Sequence, residues 1–272
     1  MTKNLDNDGL RSIVGSYDIF YIDLWGVIHN GINLHKKAIE TLGEMSKAKK
    51  NYVLLTNAPR PNKNVKLFLE KMGMDKKITE KVYTSGEASL NYLKKNHLGE
   101  KFYHIGPSRD FDLFLDFKNN KAKEINGGAY FLCTGLFDDH DEDLNYYKEL
   151  LKNQVNKKMI CTKPDLIVDR GKKRELCAGS VALVFEKMGG EVVYFGKPFP
   201  EVYNQSINVT DKKILCIGDN LNTDIKGANL LNYDSLLIIN GIHKNEIKKD
   251  GMKKISKKYE VEVNFIQSEL KW

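Results

Sequence analysis

Short apolar runs divide the chain into mixed stretches of about helical length. Ile19-Phe20-Tyr21-Ile22, Tyr52-Val53-Leu54-Leu55, Val192-Val193-Tyr194-Phe195 and Ile214-Leu215-Cys216-Ile217 carry no charged residue. Uninterrupted runs of this length read as strands buried on both faces, as in parallel sheets. Val82-Tyr83-Thr84, Phe102-Tyr103-His104-Ile105, Ala129 to Cys133, Met159 to Thr162, 235–239 and 261–266 add further strand candidates, the last read as an edge. Between them apolar residues recur at helical spacing. Ile39, Leu42 and Met45 mark a helix over 35–49, and Val65, Phe68, Leu69 and Met72 mark another over 61–72. Leu144, Tyr147, Leu151 and Val155 do the same for 142–155, as do Val181, Val184, Phe185 and Met188 for 179–188. Helices are also expected over 9–16, 86–95, 200–208, 224–232 and 243–257, and a loop or hairpin over the Lys/Asn/Gly-rich 116–128. Strands alternating with helices predict βαβ units and a parallel sheet.

Four of the runs stop at residues that carry chemistry. The first ends in Asp23-Leu24-Trp25-Gly26-Val27, the second in Thr56-Asn57-Ala58-Pro59, the third in Gly196-Lys197-Pro198 and the fourth in Gly218-Asp219-Asn220-Leu221-Asn222-Thr223-Asp224. In an open α/β sheet, ligands bind beyond the carboxyl ends of the strands. Each motif alone fits an ordinary turn or, for Asp224, an N-cap. Together, the carboxylates, a lysine and a Thr-Asn pair can bind a phosphoryl group and a divalent cation.

In this order the motifs resemble those of the haloacid dehalogenase-like (HAD) phosphohydrolases. The Gly-Asp-Asn-Leu-x-Thr-Asp-Ile stretch, the Gly-Lys-Pro and the wide gap between Thr56 and Lys197 are similar to the class IIA, NagD-like branch. The resemblance implies a doubly wound α/β core over 1–99 and 191–272, with an inserted α/β cap of the C2 type over 100–190. It implies that Asp23 is the nucleophile and that Mg²⁺ is held by Asp23, the main-chain carbonyl of Trp25 and Asp219, with Asp224 holding metal-bound water or pairing with Lys197. Thr56, Asn57 and Lys197 would bind the phosphoryl group, and Lys197 would neutralise charge on the nucleophile. Asp165, in Cys161-Thr162-Lys163-Pro164-Asp165, is the cap residue expected to face the substrate. The substrate class implied is a small phosphorylated metabolite, and caps of this class often pair, so a homodimer is a further expectation.

One position departs from the family. Where its second Asp stands, two residues after the nucleophile, this chain has Trp25. That Asp serves the family as general acid and base, whereas an indole N–H only donates a hydrogen bond. Losing a general acid or base costs about 10²–10⁴-fold in rate. Three readings remain open: substrates with good leaving groups, a proton from another residue such as His29 or a cap side chain, or a protein that binds phosphorylated ligands without turnover. Asp23, Lys197 and Asp219 favour an enzyme, since a binding protein needs no nucleophile.

Composition narrows the partners. The formal net charge of +7 comes from scattered lysines, with local runs at Lys47-Ala48-Lys49-Lys50 and 253–258. There is no basic stripe interleaved with aromatics, so nucleic acid is not an expected partner. No apolar run reaches the ~20 residues of a membrane span, and the first residues show no signal core, so the expectation is a cytoplasmic protein without membrane contact. Cys133, Cys161, Cys177 and Cys216 lack metal-site spacing and read as reduced structural thiols.

Overall fold

The computed structural model describes residues 2–170 and 173–272. In chain order the elements are β1 (Lys3–Asn4), β2 (Ile19–Ile22), α1 (Lys36–Lys47), β3 (Asn51–Thr56), α2 (Asn62–Lys71), α3 (Lys76–Thr79), β4 (Val82–Thr84) and α4 (Ser85–Asn96). There follow β5 (Phe102–Ile105), β6 (Tyr130–Cys133), α5 (Leu144–Leu151), β7 (Lys158–Cys161), β8 (Ile167–Arg170), β9 (Lys173–Leu176), α6 (Ala178–Lys187) and β10 (Glu191–Tyr194). The last are α7 (Pro200–Ser206), β11 (Ile214–Gly218), α8 (Lys226–Leu230), β12 (Asp234–Ile238), α9 (Lys244–Asp250), α10 (Met252–Tyr259) and β13 (Phe265–Gln267).

The strands form a seven-stranded sheet in the order β1-β13-β12-β11-β2-β3-β4. The pairings from β1 across to β3 are parallel. From β2 the chain winds outward through β3 and β4, and from β11 it winds the other way through β12 and β13. The strand order therefore reverses between β2 and β11, where Ile22 pairs with Ile217. A crevice at such a reversal, beyond the carboxyl ends of the strands, is where open α/β sheets bind ligands. A second parallel sheet has the order β10-β7-β6-β5, and β8 and β9 form an antiparallel pair.

By their contacts the residues fall into two compact units. One takes the chain up to Thr56, Lys66–Tyr83 and Tyr203–Trp272; the other takes Asn57–Val65 and Thr84–Val202. Each has its own apolar cluster. In the first, Leu221, Ile225, Leu237 and Ile255 pack together. In the second, Phe131, Tyr147, Val181 and Phe185 do so. All four cysteines are buried and none is in a disulfide.

Several local expectations are corrected. The final strand is not an edge, because β1 pairs with it. Residues 9–16 form two 3-10 turns instead of one helix. The expected loop at 116–128 begins inside a helical segment, Ser108–Asn120, which buries Asp110, Leu113, Phe114 and Phe117 on one side. Gly251, at φ 74°, divides the helix expected at 243–257 into α9 and α10. Phe68, expected on the buried face of α2, is 43% exposed.

Candidate active site

Asp23 follows β2, whose four residues are all buried. Its N–H donates to Ile217 O at 2.8 Å, so the backbone still holds the ladder with β11 where the side chain emerges. The chain then folds into a tight loop. Ile28 N and His29 N both donate to Leu24 O, and Gly26 N donates to His29 O at 2.8 Å. Gly26 has φ +82°, a conformation that strains other residues. A Cβ at Gly26 would also lie 2.2 Å from Asp219 Oδ2, so the absent side chain is what lets the loop close on that carboxylate.

Asp219 follows β11. Its Oδ2 accepts a hydrogen bond from Ile242 N at 2.9 Å, and a Cβ at Gly241 would come within 2.1 Å of the same oxygen. Asp224 lies one turn on. Its Oδ2 accepts from Asn220 N at 3.1 Å, and its carboxyl carbon would sit 2.0 Å from a Cβ at Gly218. Asn220, not Asp224, caps the turn, since Asn220 Oδ1 accepts from Asn222 N. Asp224 is thereby left to point inward.

Ligand oxygens of Asp23, Asp219 and Asp224 all lie within 4.8 Å of one another. All three residues are buried. Ionised carboxylates at that separation repel by roughly 3–4 kcal/mol per pair at an effective dielectric near 20. A divalent cation offsets that repulsion, and an all-oxygen donor set suits a hard one. The cluster therefore fits the metal that the sequence implies.

Trp25 does not fill the place of a carboxylate. Its indole folds back on its own loop, so close that a Cβ at Gly31 would be 2.5 Å from the ring. The ring meets His29 edge-on at 5.3 Å between centroids, and His29 in turn packs on Phe68 at 5.9 Å. His29 Nδ1 accepts from Gly31 N at 3.0 Å. Burial, with His35 adding to it, lowers the His29 pKa to about 4. At neutral pH its ring holds no spare proton to donate as an acid.

Thr56 closes β3 in the same unit as the three acids and is buried. In the other unit Asn57 and Lys197 are joined. Asn57 Nδ2 donates to Lys197 O at 2.9 Å, and Lys197 N donates to Asn57 Oδ1 at 2.7 Å. The Asn57 amide thus holds the Lys197 backbone. Gly196, at φ +121°, allows the approach, since a Cβ there would be 2.6 Å from Asn57 Oδ1. Asp165 pairs with Lys163 at 3.4 Å, and Asp165 Oδ2 is buried without a hydrogen-bond partner.

Sequence reading missed Tyr203. It lies on α7, fully buried, and its hydroxyl has no hydrogen-bond partner. Its pKa is raised strongly by burial and further by Cys216, Asp224, Tyr21 and Asp23, so the phenol stays protonated beside the acid cluster. The only signal in the sequence was a tyrosine six residues after Lys197, which reads as an ordinary core position.

Residues 20–117 match the sequence profile of the haloacid dehalogenase-like hydrolases, and residues 194–261 match a second HAD-hydrolase-like profile. The chain belongs to the haloacid dehalogenase-like hydrolases. It is 26% identical over 256 residues to the 5'-nucleotidase YutF of Bacillus subtilis, covering 88% of this chain and 93% of that protein. It is 24% identical over 248 residues to the acid sugar phosphatase of Staphylococcus saprophyticus, covering 87% and 92%. The crystal structure of a haloacid dehalogenase-like hydrolase from Brucella suis superposes with a TM-score of 0.82 at 28% identity, over 96% of this chain and 98% of that one.

Proposed function

We propose that the chain is a class IIA phosphohydrolase acting on a small phosphorylated metabolite through an aspartyl-phosphate. The convergence of Asp23, Asp219 and Asp224 at the switch point carries the reading. Asp23 attacks phosphorus, forming the acyl phosphate as the bond to the leaving oxygen breaks. Water then attacks the phosphorus of that intermediate, releasing phosphate and restoring the carboxylate. Mg²⁺, held by Asp23, Asp219 and the carbonyl of Trp25, would supply charge neutralisation to the phosphoryl oxygens. Thr56, the Asn57 N–H and Lys197 bind the phosphoryl group, with Asn57 positioning Lys197. Asp165 reads the rest of the substrate from the cap.

Trp25 supplies no acid and His29 is held neutral, so the favoured leaving groups are those that depart as stable anions, acyl and aryl phosphates above all. Nucleotidase and sugar phosphatase activities, as named for the two relatives, concern small phosphorylated metabolites too, but nucleotides and sugar phosphates are alkyl esters and lie outside the acyl and aryl class favoured here. A second reading, binding of phosphorylated ligands without turnover, rests on Trp25 alone. Acetyl phosphate and p-nitrophenyl phosphate, each with and without Mg²⁺, separate the two. Metal-dependent release of phosphate supports the enzyme. Metal-dependent binding with no release supports the binding protein. Calorimetry on Asp219→Ala tests the metal site itself, and unchanged Mg²⁺ affinity would remove it.

A further inference from the structure

Behind the acid cluster lies a set of charged and aromatic side chains that the proposed reaction does not use. The chain leaves β12 at Ile238 and turns at once, with Gly241 N donating to Ile238 O and Lys244 N to Gly241 O. This turn is what touches Asp219. Ile242 N donates to Asp219 Oδ2, and Gly241 lies too close to that carboxylate to carry a side chain. The next residue, His243, is buried and faces away into the pair α9–α10.

There it meets Glu246. His243 Nδ1 lies 3.1 Å from Glu246 Oε2, and Tyr259 OH donates to the same oxygen at 2.9 Å. Lys258 Nζ donates to the other oxygen, Oε1. The His243 and Tyr259 rings pack edge to face at 4.8 Å between centroids. Burial opposes the charge on Glu246, but the bonds from Lys258, His243 and Tyr259 outweigh it and lower its pKa to about 2. Ionised, Glu246 can only accept, so Nδ1 of His243 carries the proton of that bond. One carboxylate thus ties α10 to the residue that follows Ile242.

We infer that Glu246 is a positioning residue for the metal site, acting through His243 and the Ile242 N–H to fix the orientation of the Asp219 carboxylate. The inference rests on the metal reading given above. An amide bound to one lobe of a carboxylate selects which oxygen remains for a cation, and outer groups of this kind set affinity without touching the metal. Direct outer-shell partners are worth about 10–100-fold in affinity. Glu246 acts one link further out, so about 3–10-fold is expected.

The test uses Glu246→Gln, which keeps the shape but presents an amide N–H₂ to groups that themselves donate. Two quantities are read: hydrogen exchange at the Ile242 amide in metal-free protein, and the Mg²⁺ dissociation constant by calorimetry. Lys258→Met, which removes an exposed partner and leaves the His243 bond, is the control. In Glu246→Gln the Ile242 amide should exchange faster and Mg²⁺ should bind about 3–10-fold more weakly, with both within twofold of wild type in Lys258→Met. If Glu246→Gln does not fold, His243→Phe keeps a ring against Tyr259 but loses the Nδ1 bond to Glu246, and should shift both quantities in the same direction. Wild-type Ile242 exchange and Mg²⁺ affinity in a folded variant would overturn the inference while leaving the metal site standing. Absence of Mg²⁺ binding in the wild type would overturn both.

Discussion

Trp25 bears on both chemistry and structure. Its ring fills the space over Gly31 and contacts His29, so it staples the loop that brings Gly26 against Asp219. Replacing it with Asp would restore a titratable group but remove the staple. Trp25→Asp should therefore lose about 1–3 kcal/mol of stability, as a partly buried aromatic does. Its gain on alkyl phosphates should fall short of the full 10²–10⁴-fold. Melting curves beside kinetics on one alkyl and one aryl phosphate check both statements; equal wild-type rates on the two, with chemistry limiting, would mean that another group donates the proton. His29 makes a separate prediction. An unfolded histidine protonates near pH 6.5, whereas the folded ring does so only near 4. Below 6.5 the unfolded state binds the extra proton, so stability falls as the pH drops from 6.5 towards 4. The loss is at most about 3 kcal/mol. His104 in the other unit is lowered similarly, so the diagnostic is the difference in slope between wild type and His29→Gln across that window. Asp23→Asn should abolish turnover with the fold intact, since the amide keeps the shape and loses the nucleophile; in metal-free protein its melting temperature should rise, because the repulsion of Asp23 by Asp219 and Asp224 is relieved.

At the scale of elements, the sequence was informative where an apolar run met a reactive residue. Strands β2, β3 and β11 were legible because four uncharged residues in a row suit a strand buried on both faces; the run at β10 was legible too, but that strand is the half-exposed edge of the second sheet. The acids at their ends could be read from the same stretches. What escaped was set by tertiary pairing. Strand β1 has two exposed residues and exists only because β13 offers it an edge. The β8–β9 hairpin mixes charges with only a few apolar residues and carries no strand-like run. Glu246 could not be read as anything but a helix surface charge, because its partners lie three residues back, just before α9, and twelve and thirteen residues on, in α10. The loops around the acids were likewise invisible as a cradle. Gly26 and Gly241 come from distant stretches, yet both stand where a Cβ would strike Asp219. Gly241→Ala should consequently weaken Mg²⁺ binding by at least tenfold, an expectation of the size seen when an outer group displaces a ligand. Calorimetry decides it, and a wild-type dissociation constant would show that Asp219 has room to move.

On the scale of the whole molecule, the two units differ in what a metal can do for them. Asp23, Asp219 and Asp224 all belong to the unit built on the seven-stranded sheet. The other unit has its own parallel sheet and its own apolar cluster around Phe131 and Phe185. No helix among the described residues is long and apolar enough to cross a membrane. A ligand that binds only the folded state stabilises what it binds, by about 2.7 kcal/mol at one hundred times its dissociation constant. Saturating Mg²⁺ should therefore slow hydrogen exchange in β2, β11 and β12, whose ends carry or flank the acids, by up to about 100-fold. The amides of β5, β6 and β7 should be unaffected where exchange occurs by opening of one unit alone. Exchange mass spectrometry with and without Mg²⁺ resolves these strands, and Asp219→Ala should cancel the effect. Equal slowing in both sheets, lost together in that variant, would mean that the two units open as one. Slowing that persists in Asp219→Ala would place the metal elsewhere, and the acid cluster would then need another explanation for three carboxylates held so close together.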